Sequence, residues 1–144
     1  VFVKSNEAKA RLRASLSPGN LEKAMAAPVT TIVAYDVEFY DKLTKLVPYA
    51  PDAKLRVSEM EPEARRRMAL MNATLQCGYA IVAARSLGLD CGPMGGFNAE
   101  TLDAEFFPDH QWKSILLLNL GHGEPSTLHP RAPRLDFDEA CRIV

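Results

Sequence analysis

Two clusters hold the residues best suited to chemistry. Gly92-Pro93-Met94-Gly95-Gly96 packs three glycines and a proline into five residues, more than a turn requires. Glycine lets a backbone approach a flat ligand closely, and unspent N–H groups there can donate to it. The second cluster, Arg131-Ala132-Pro133-Arg134, sets two guanidinium groups on a stiff extended segment. Guanidinium suits phosphate, and proline lowers the entropy lost in holding it still. Together they describe a ligand with a planar part and a phosphate. The bland alternatives are a plain loop between helices and a solvent-exposed arginine pair.

Other constellations point elsewhere with less support. Gly121-His122-Gly123-Glu124-Pro125-Ser126 half matches a dinucleotide fingerprint, but Ser126 replaces the third glycine and the prolines that follow cannot start the required helix. A turn after a strand is the better reading. His110, His122 and His129 with Cys77, Cys91 and Cys141 lack zinc-site spacing. No Gly-x-Ser-x-Gly occurs, so hydrolytic chemistry has no support. Asn72 and Gln76 lie four apart and share a helix face. A hydrogen bond to backbone or across a subunit contact is favoured for them over a ligand contact. Arg65-Arg66-Arg67 reads first as a solvated helix face, with anion binding as the alternative.

These residues need elements to hold them. Val1 to Lys4 reads as a β run, and Glu7 to Leu16 has helical spacing at Ala8, Leu12 and Leu16. Asn20 is expected to cap a short helix through Ala26. Val29 to Tyr35 is a β-branched strand. From Asp36 to Pro62 the signals weaken: Phe39, Tyr40, Leu43 and Leu46 suggest a short helix, followed by a loop at Pro48 and Pro51. Glu61 to about Leu87 forms the longest element, roughly 40 Å at the α-helical rise. Its uncharged stretch from Met68 to Ala84 predicts a central helix buried on most sides, stopped by Gly88. Asn72, Thr74, Gln76 and Gly78 argue against a membrane span. A glycine-rich loop from Leu89 to Phe97 is expected next, then a helix of Ala99 to Phe106 capped by Asn98 and a buried strand from Ser114 to Leu120. Gly121 to Arg134 should run extended over the surface, and Phe137 to Val144 should close with a helical turn or two. The class is α+β or α/β with a small sheet.

The 144 residues fit one domain, and 47% apolar content supports a core without staples. Lys+Arg 17 against Asp+Glu 18 leaves a net charge of −1, which argues against nucleic-acid or membrane-surface binding. Three widely spaced cysteines suit reduced thiols in a cytoplasmic compartment. The chain opens at Val1 without a methionine, as the remainder of something longer would.

Leu87-Gly88-Leu89-Asp90-Cys91-Gly92-Pro93-Met94-Gly95-Gly96-Phe97, Phe106-Phe107, Leu118-Asn119-Leu120-Gly121-His122-Gly123 and Pro133-Arg134-Leu135 resemble the FMN-dependent nitroreductase family. Ser17 to Lys23 and Ala27 to Thr30 extend the likeness over nearly the whole chain. Its closest form is the malonic semialdehyde reductase branch of pyrimidine degradation. The resemblance implies an α+β homodimer, a small sheet flanked by helices around a long buried helix, with FMN at the subunit interface. It implies that Pro93, Met94, Gly95 and Gly96 lie beside the flavin, the last two offering N–H groups to its N5/O4 edge. Arg131 and Arg134 would contact the FMN phosphate. Reducing equivalents would pass from NAD(P)H through FMN to a small-molecule substrate, taking malonic semialdehyde to 3-hydroxypropanoate. No catalytic side chain and no metal is then needed. The alternatives are a broad nitro- or quinone-reductase and a non-catalytic flavin-binding fragment. The expected single domain lacks the family's N-terminal helices, with their Arg-x-Ser-Arg-like and Asn-x-Gln-Pro-like segments.

Overall fold

The computed structural model describes residues 1–109 and 111–144. His110, weighed above as a metal ligand, lies outside them. In chain order the elements are β1 (Phe2–Val3), α1 (Asn6–Arg13), α2 (Pro18–Ala26), β2 (Val29–Asp36), a 3-10 turn (Phe39–Lys42), α3 (Leu43–Leu46), α4 (Ala53–Ser58), α5 (Pro62–Ser86), β3 (Asp90–Met94), α6 (Ala99–Phe106), β4 (Trp112–Gly121), a second 3-10 turn (Pro125–Thr127) and α7 (Phe137–Ala140). The strands form one antiparallel sheet in the order β1-β2-β4-β3, so the fold is α+β.

The sheet is built around the two most apolar runs. β2 and β4 pair along their lengths, with Thr30 opposite Asn119 and Ile32 opposite Leu117, and a bulge falls at Val33/Ala34. On one face Val3, Ile32, Met94 and Leu117 meet Leu12 of α1, Ala24 of α2, and Leu102 and Phe107 from α6 and its end. Fully burying each large aliphatic side chain here contributes about 2 kcal/mol. α5 crosses the sheet outside that cluster and touches β2, β3 and β4, burying Ala69, Cys77 and Ala84.

Four expectations need correction. α2 begins earlier than predicted, with Ser17 at the N-cap and Pro18 in the first turn. Proline there loses no helical hydrogen bond, so the helix absorbs Asn20 and frees its side chain for other work. Asp90–Met94 is not loop but strand β3, paired with β4 from Asp90 opposite Gly121 to Met94 opposite Leu117. An edge strand tolerates Pro93, because only one side of it must supply ladder bonds. The stretch after Pro51, predicted as loop, carries α4. Finally, α5 is buried along one side only. Met71, Leu75, Tyr79 and Val82, at positions i, i+4, i+8 and i+11, are 62–71% exposed and form an uncovered apolar stripe.

Caps and stops follow the sequence more closely. Asn98 Oδ1 accepts the Thr101 N–H at 2.9 Å to start α6. α5 ends in a Schellman turn: Gly88 N–H donates to Arg85 O and Leu89 N–H to Ala84 O, both at 3.0 Å. Gly88 has φ +81°, the left-handed conformation this turn requires, and a Cβ there would meet no atom within 4 Å. Gly88→Ala therefore isolates the conformational cost. It should lower stability by about 1 kcal/mol, read as a reduced urea midpoint at unchanged slope.

Candidate functional site

The glycine segment leaves β3 at Met94 and crosses to α2. Its geometry is set by the Gly96 carbonyl, which accepts two hydrogen bonds: Ser17 N–H at 3.1 Å and Asn20 Nδ2 at 3.0 Å. Phe97 N–H turns back to Gly95 O at 3.1 Å, Phe97 forms a bridge with Leu16, and Asn98 N–H donates to Ser15 O at 2.7 Å. The segment is thus stitched to the start of α2 from below. Among the described residues, the N–H groups of Gly95 and Gly96 donate to no backbone or side-chain acceptor. Two donors on a fixed backbone stand ready for an outside acceptor.

The two glycines differ. A Cβ on Gly95 would meet nothing within 4 Å, so the surface above it is open. A Cβ on Gly96 would fall 2.6 Å from Asn20 Nδ2 and 3.4 Å from Ser17 Oγ. Gly96 lets the side chain of Asn20 close onto the backbone; Gly95 leaves room for a flat molecule. Pro93 is exposed on β3, whereas Met94 is buried with its Sδ 3.7 Å from Asn119 Nδ2.

Arg131 and Arg134 lie apart from this segment. Every residue from His122 to Val144 is exposed, and Arg134 Nη1 donates to Ala132 O and Pro133 O at 2.8 and 3.2 Å. Among the described residues neither arginine makes a hydrogen bond or ion pair with Pro93–Gly96. Pro93, Met94, Gly95 and Gly96 are gathered by the fold; the arginines are not.

Asn20 was missed as a site residue because its cap-like type at a proline-glycine break reads as a helix start. The usable signal was Pro18, which claims the first turn of α2 and places Asn20 inside it. Lys23 lies three residues beyond Asn20, on the same helix face, and is exposed.

The remaining candidates resolve simply. Asn72 Nδ2 donates to Met68 O at 2.8 Å, the backbone reading favoured for it. Asn72 and Gln76 also line a cleft of about 560 Å³ between β2, α5 and the segment of Phe39 to Val57. Arg66 forms a two-point pair with Glu63, and the Arg66 guanidinium holds the Glu63 carboxyl below its ordinary range. Arg65 Nη1 donates to Ser58 O at 2.7 Å and its guanidinium lies over the Tyr40 ring. Gly121 to Gly123 form the turn after β4, where Gly123 N–H donates to Asp90 Oδ2 at 2.8 Å. That bond and the Arg85 partner hold the Asp90 carboxyl below its ordinary range. Among the described residues no cluster of three His, Cys, Asp or Glu side chains could hold a metal, and no helix is long and apolar enough to cross a membrane.

A small antiparallel sheet, a long helix across it and a glycine segment with free donors define an α+β domain of nitroreductase type. The nitroreductase family model matches residues 2–122. A Ralstonia nicotianae protein, provisionally named NADH dehydrogenase/NAD(P)H nitroreductase, is 52% identical over 145 residues, spanning all of this chain and 73% of its own length. A Rhodopseudomonas palustris protein with the same provisional name is 52% identical over 144 residues, 72% of its length. Among solved structures, an Exiguobacterium sibiricum protein described as a nitroreductase in complex with FMN matches with a TM-score of 0.89 at 18% identity, covering all of this chain and 75% of its own. At that identity the match speaks for the fold. The chain belongs to the nitroreductase family. Its members are NAD(P)H-dependent flavin oxidoreductases that use FMN.

Gly96→Ala must push Asn20 away from the backbone and forfeits its bond to Gly96 O. A loss of about 1 kcal/mol is expected in chemical denaturation, while Gly95→Ala should leave stability within about 0.5 kcal/mol of the parent.

Proposed function

We propose that this chain is the flavin-holding domain of an oxidoreductase that moves reducing equivalents from NAD(P)H to a small acceptor. The observation that carries this is the Gly95–Gly96 backbone: rigidly pinned through Gly96 O, open above Gly95, with two unspent N–H donors. These features fit the planar, acceptor-rich edge of FMN. When bound, FMN supplies a two-electron carrier between nicotinamide and acceptor.

The chain's own residues bind and orient. Gly95 and Gly96 N–H groups donate to the ring edge, and the absence of a side chain at Gly95 admits the ring plane. Pinned donors aimed at a site of growing negative charge stabilise it without reorganising. Pro93 and Met94 form the adjoining wall. Arg131 and Arg134 are proposed to reach the phosphate through the tail, every residue of which is exposed from His122 onward. A second copy is proposed to cover the α5 stripe of Met71, Leu75, Tyr79 and Val82, whose exposure is costly for an isolated domain.

For the acceptor, malonic semialdehyde reduced to 3-hydroxypropanoate is proposed on the sequence resemblance. The names carried by the relatives, NAD(P)H nitroreductase, favour a second reading: a broad nitro- or quinone-reductase.

Titrating the protein with FMN should quench flavin fluorescence saturably, at one FMN per chain in a two-chain particle by light scattering. Gly95→Val should raise the FMN dissociation constant at least tenfold while still folding, because its side chain crowds the ring and nothing else. Unchanged affinity in that variant would remove the glycine segment from the site. Turnover of malonic semialdehyde should exceed that of a nitroaromatic and a quinone in the same assay; comparable rates for all three would select the broad reductase.

A further inference from the structure

Lys9 is buried, with 7% of its surface exposed, and among the described residues it has no carboxylate partner. Burial pushes its pKa down. An ammonium in that position is expensive unless its protons are all used. Two of them have identified acceptors: Lys9 Nζ donates to Ala24 O and to Thr30 Oγ1, each at 2.7 Å. Thr30 Oγ1 donates onward to Asn119 Oδ1 at 2.7 Å. Asn119 Nδ2 then donates to Lys23 O at 3.1 Å and lies 3.7 Å from Met94 Sδ.

This relay ends at the glycine segment by two routes. Ala24 O and Lys23 O belong to the last turn of α2, where the dipole favours a cation; Lys23 O also accepts the Ala27 N–H at 3.2 Å. Lys9 and Asn119 therefore hold the C-terminal end of the helix whose N-terminal end, through Ser17 and Asn20, holds Gly96 O. The second route is direct, since Met94 immediately precedes Gly95. Thr30 and Asn119 face each other across β2 and β4, so the sheet register itself aligns the relay. An apolar residue at position 9 would leave Ala24 O and Thr30 Oγ1 without this donor, so the lysine adds both a charge and two fixed hydrogen bonds.

We propose that Lys9 is a positioning residue for the flavin segment: through Thr30 and Asn119 it fixes α2 and Gly95–Gly96, and its buried positive charge favours electrons on the ring. The proposal rests on the flavin reading above. A fixed positive charge in a medium of low dielectric acts over longer range than one in water.

The test uses the FMN-loaded protein and reads the flavin midpoint potential by dye equilibration, alongside the FMN dissociation constant and melting temperature. Lys9→Met should bind reduced flavin at least tenfold more weakly relative to oxidised flavin, a drop of about 30 mV for a two-electron couple. Lys9→Arg should restore most of that difference. Thr30→Val keeps the ammonium but cuts the relay, so it should weaken FMN binding with a smaller change in potential. Should Lys9→Met fail to fold, the Lys9→Arg and Thr30→Val pair decides: unchanged affinity and potential in Thr30→Val overturns the relay. A Lys9→Met protein with a lower melting temperature but an unchanged potential and FMN affinity overturns the proposal while leaving the flavin reading intact. A parent protein that takes up no FMN overturns both.

Discussion

Gly96 O accepts from Ser17 N–H and Asn20 Nδ2, and most of what is functional in this domain follows from that shared carbonyl. A backbone segment with little side chain has many conformations to lose, and glycine loses the most. Two donors on one oxygen, both from the first turn of α2, restrict it at a single point. The Phe97 N–H of that peptide unit turns back to Gly95 O, and among the described residues the N–H groups of Gly95 and Gly96 are left without a partner. The site is therefore a by-product of how the chain is tied down on its inner side.

The sheet supplies what the tie needs. β4 sits between β2 and β3, so residues from distant parts of the chain share one register: Ile32, Leu117 and Met94 lie in line, one step from Thr30 and Asn119. Apolar pairs in that line belong to the core, and the polar pair beside them carries the hydrogen-bond chain from Lys9. Shifting β2 against β4 by one residue would turn Thr30 and Ile32 to the wrong face together. Core packing and the placement of the glycine segment are thus enforced by one alignment.

Much of this was legible from residue types. The β-branched run at Val29 and the leucine run at Ser114 to Leu120 appear as the two central strands, Asn98 caps α6 and Gly88 stops α5. What misled was local chemistry overruled by neighbours. Gly92 and Pro93 carry loop composition, yet β4 offers them an edge to pair with, and pairing wins. The uncharged centre of α5 reads as buried on most sides, but a single chain has only one sheet to bury it against. Asn20 looked like a cap because a cap was the only local use for it; its partner, Gly96, is 76 positions away. Lys9 gave no signal, since a lysine between helical apolar positions looks solvated. Contacts between remote parts of the chain have no local signature, and both Asn20 and Lys9 depend on them.

Pro93 has a meaning beyond the segment it introduces. It sits on the outermost strand, β3, where a ring nitrogen replaces a hydrogen-bond donor. This border offers no fully equipped ladder to an approaching strand. Extension of the sheet from molecule to molecule, the usual road to fibrils, is discouraged at this margin.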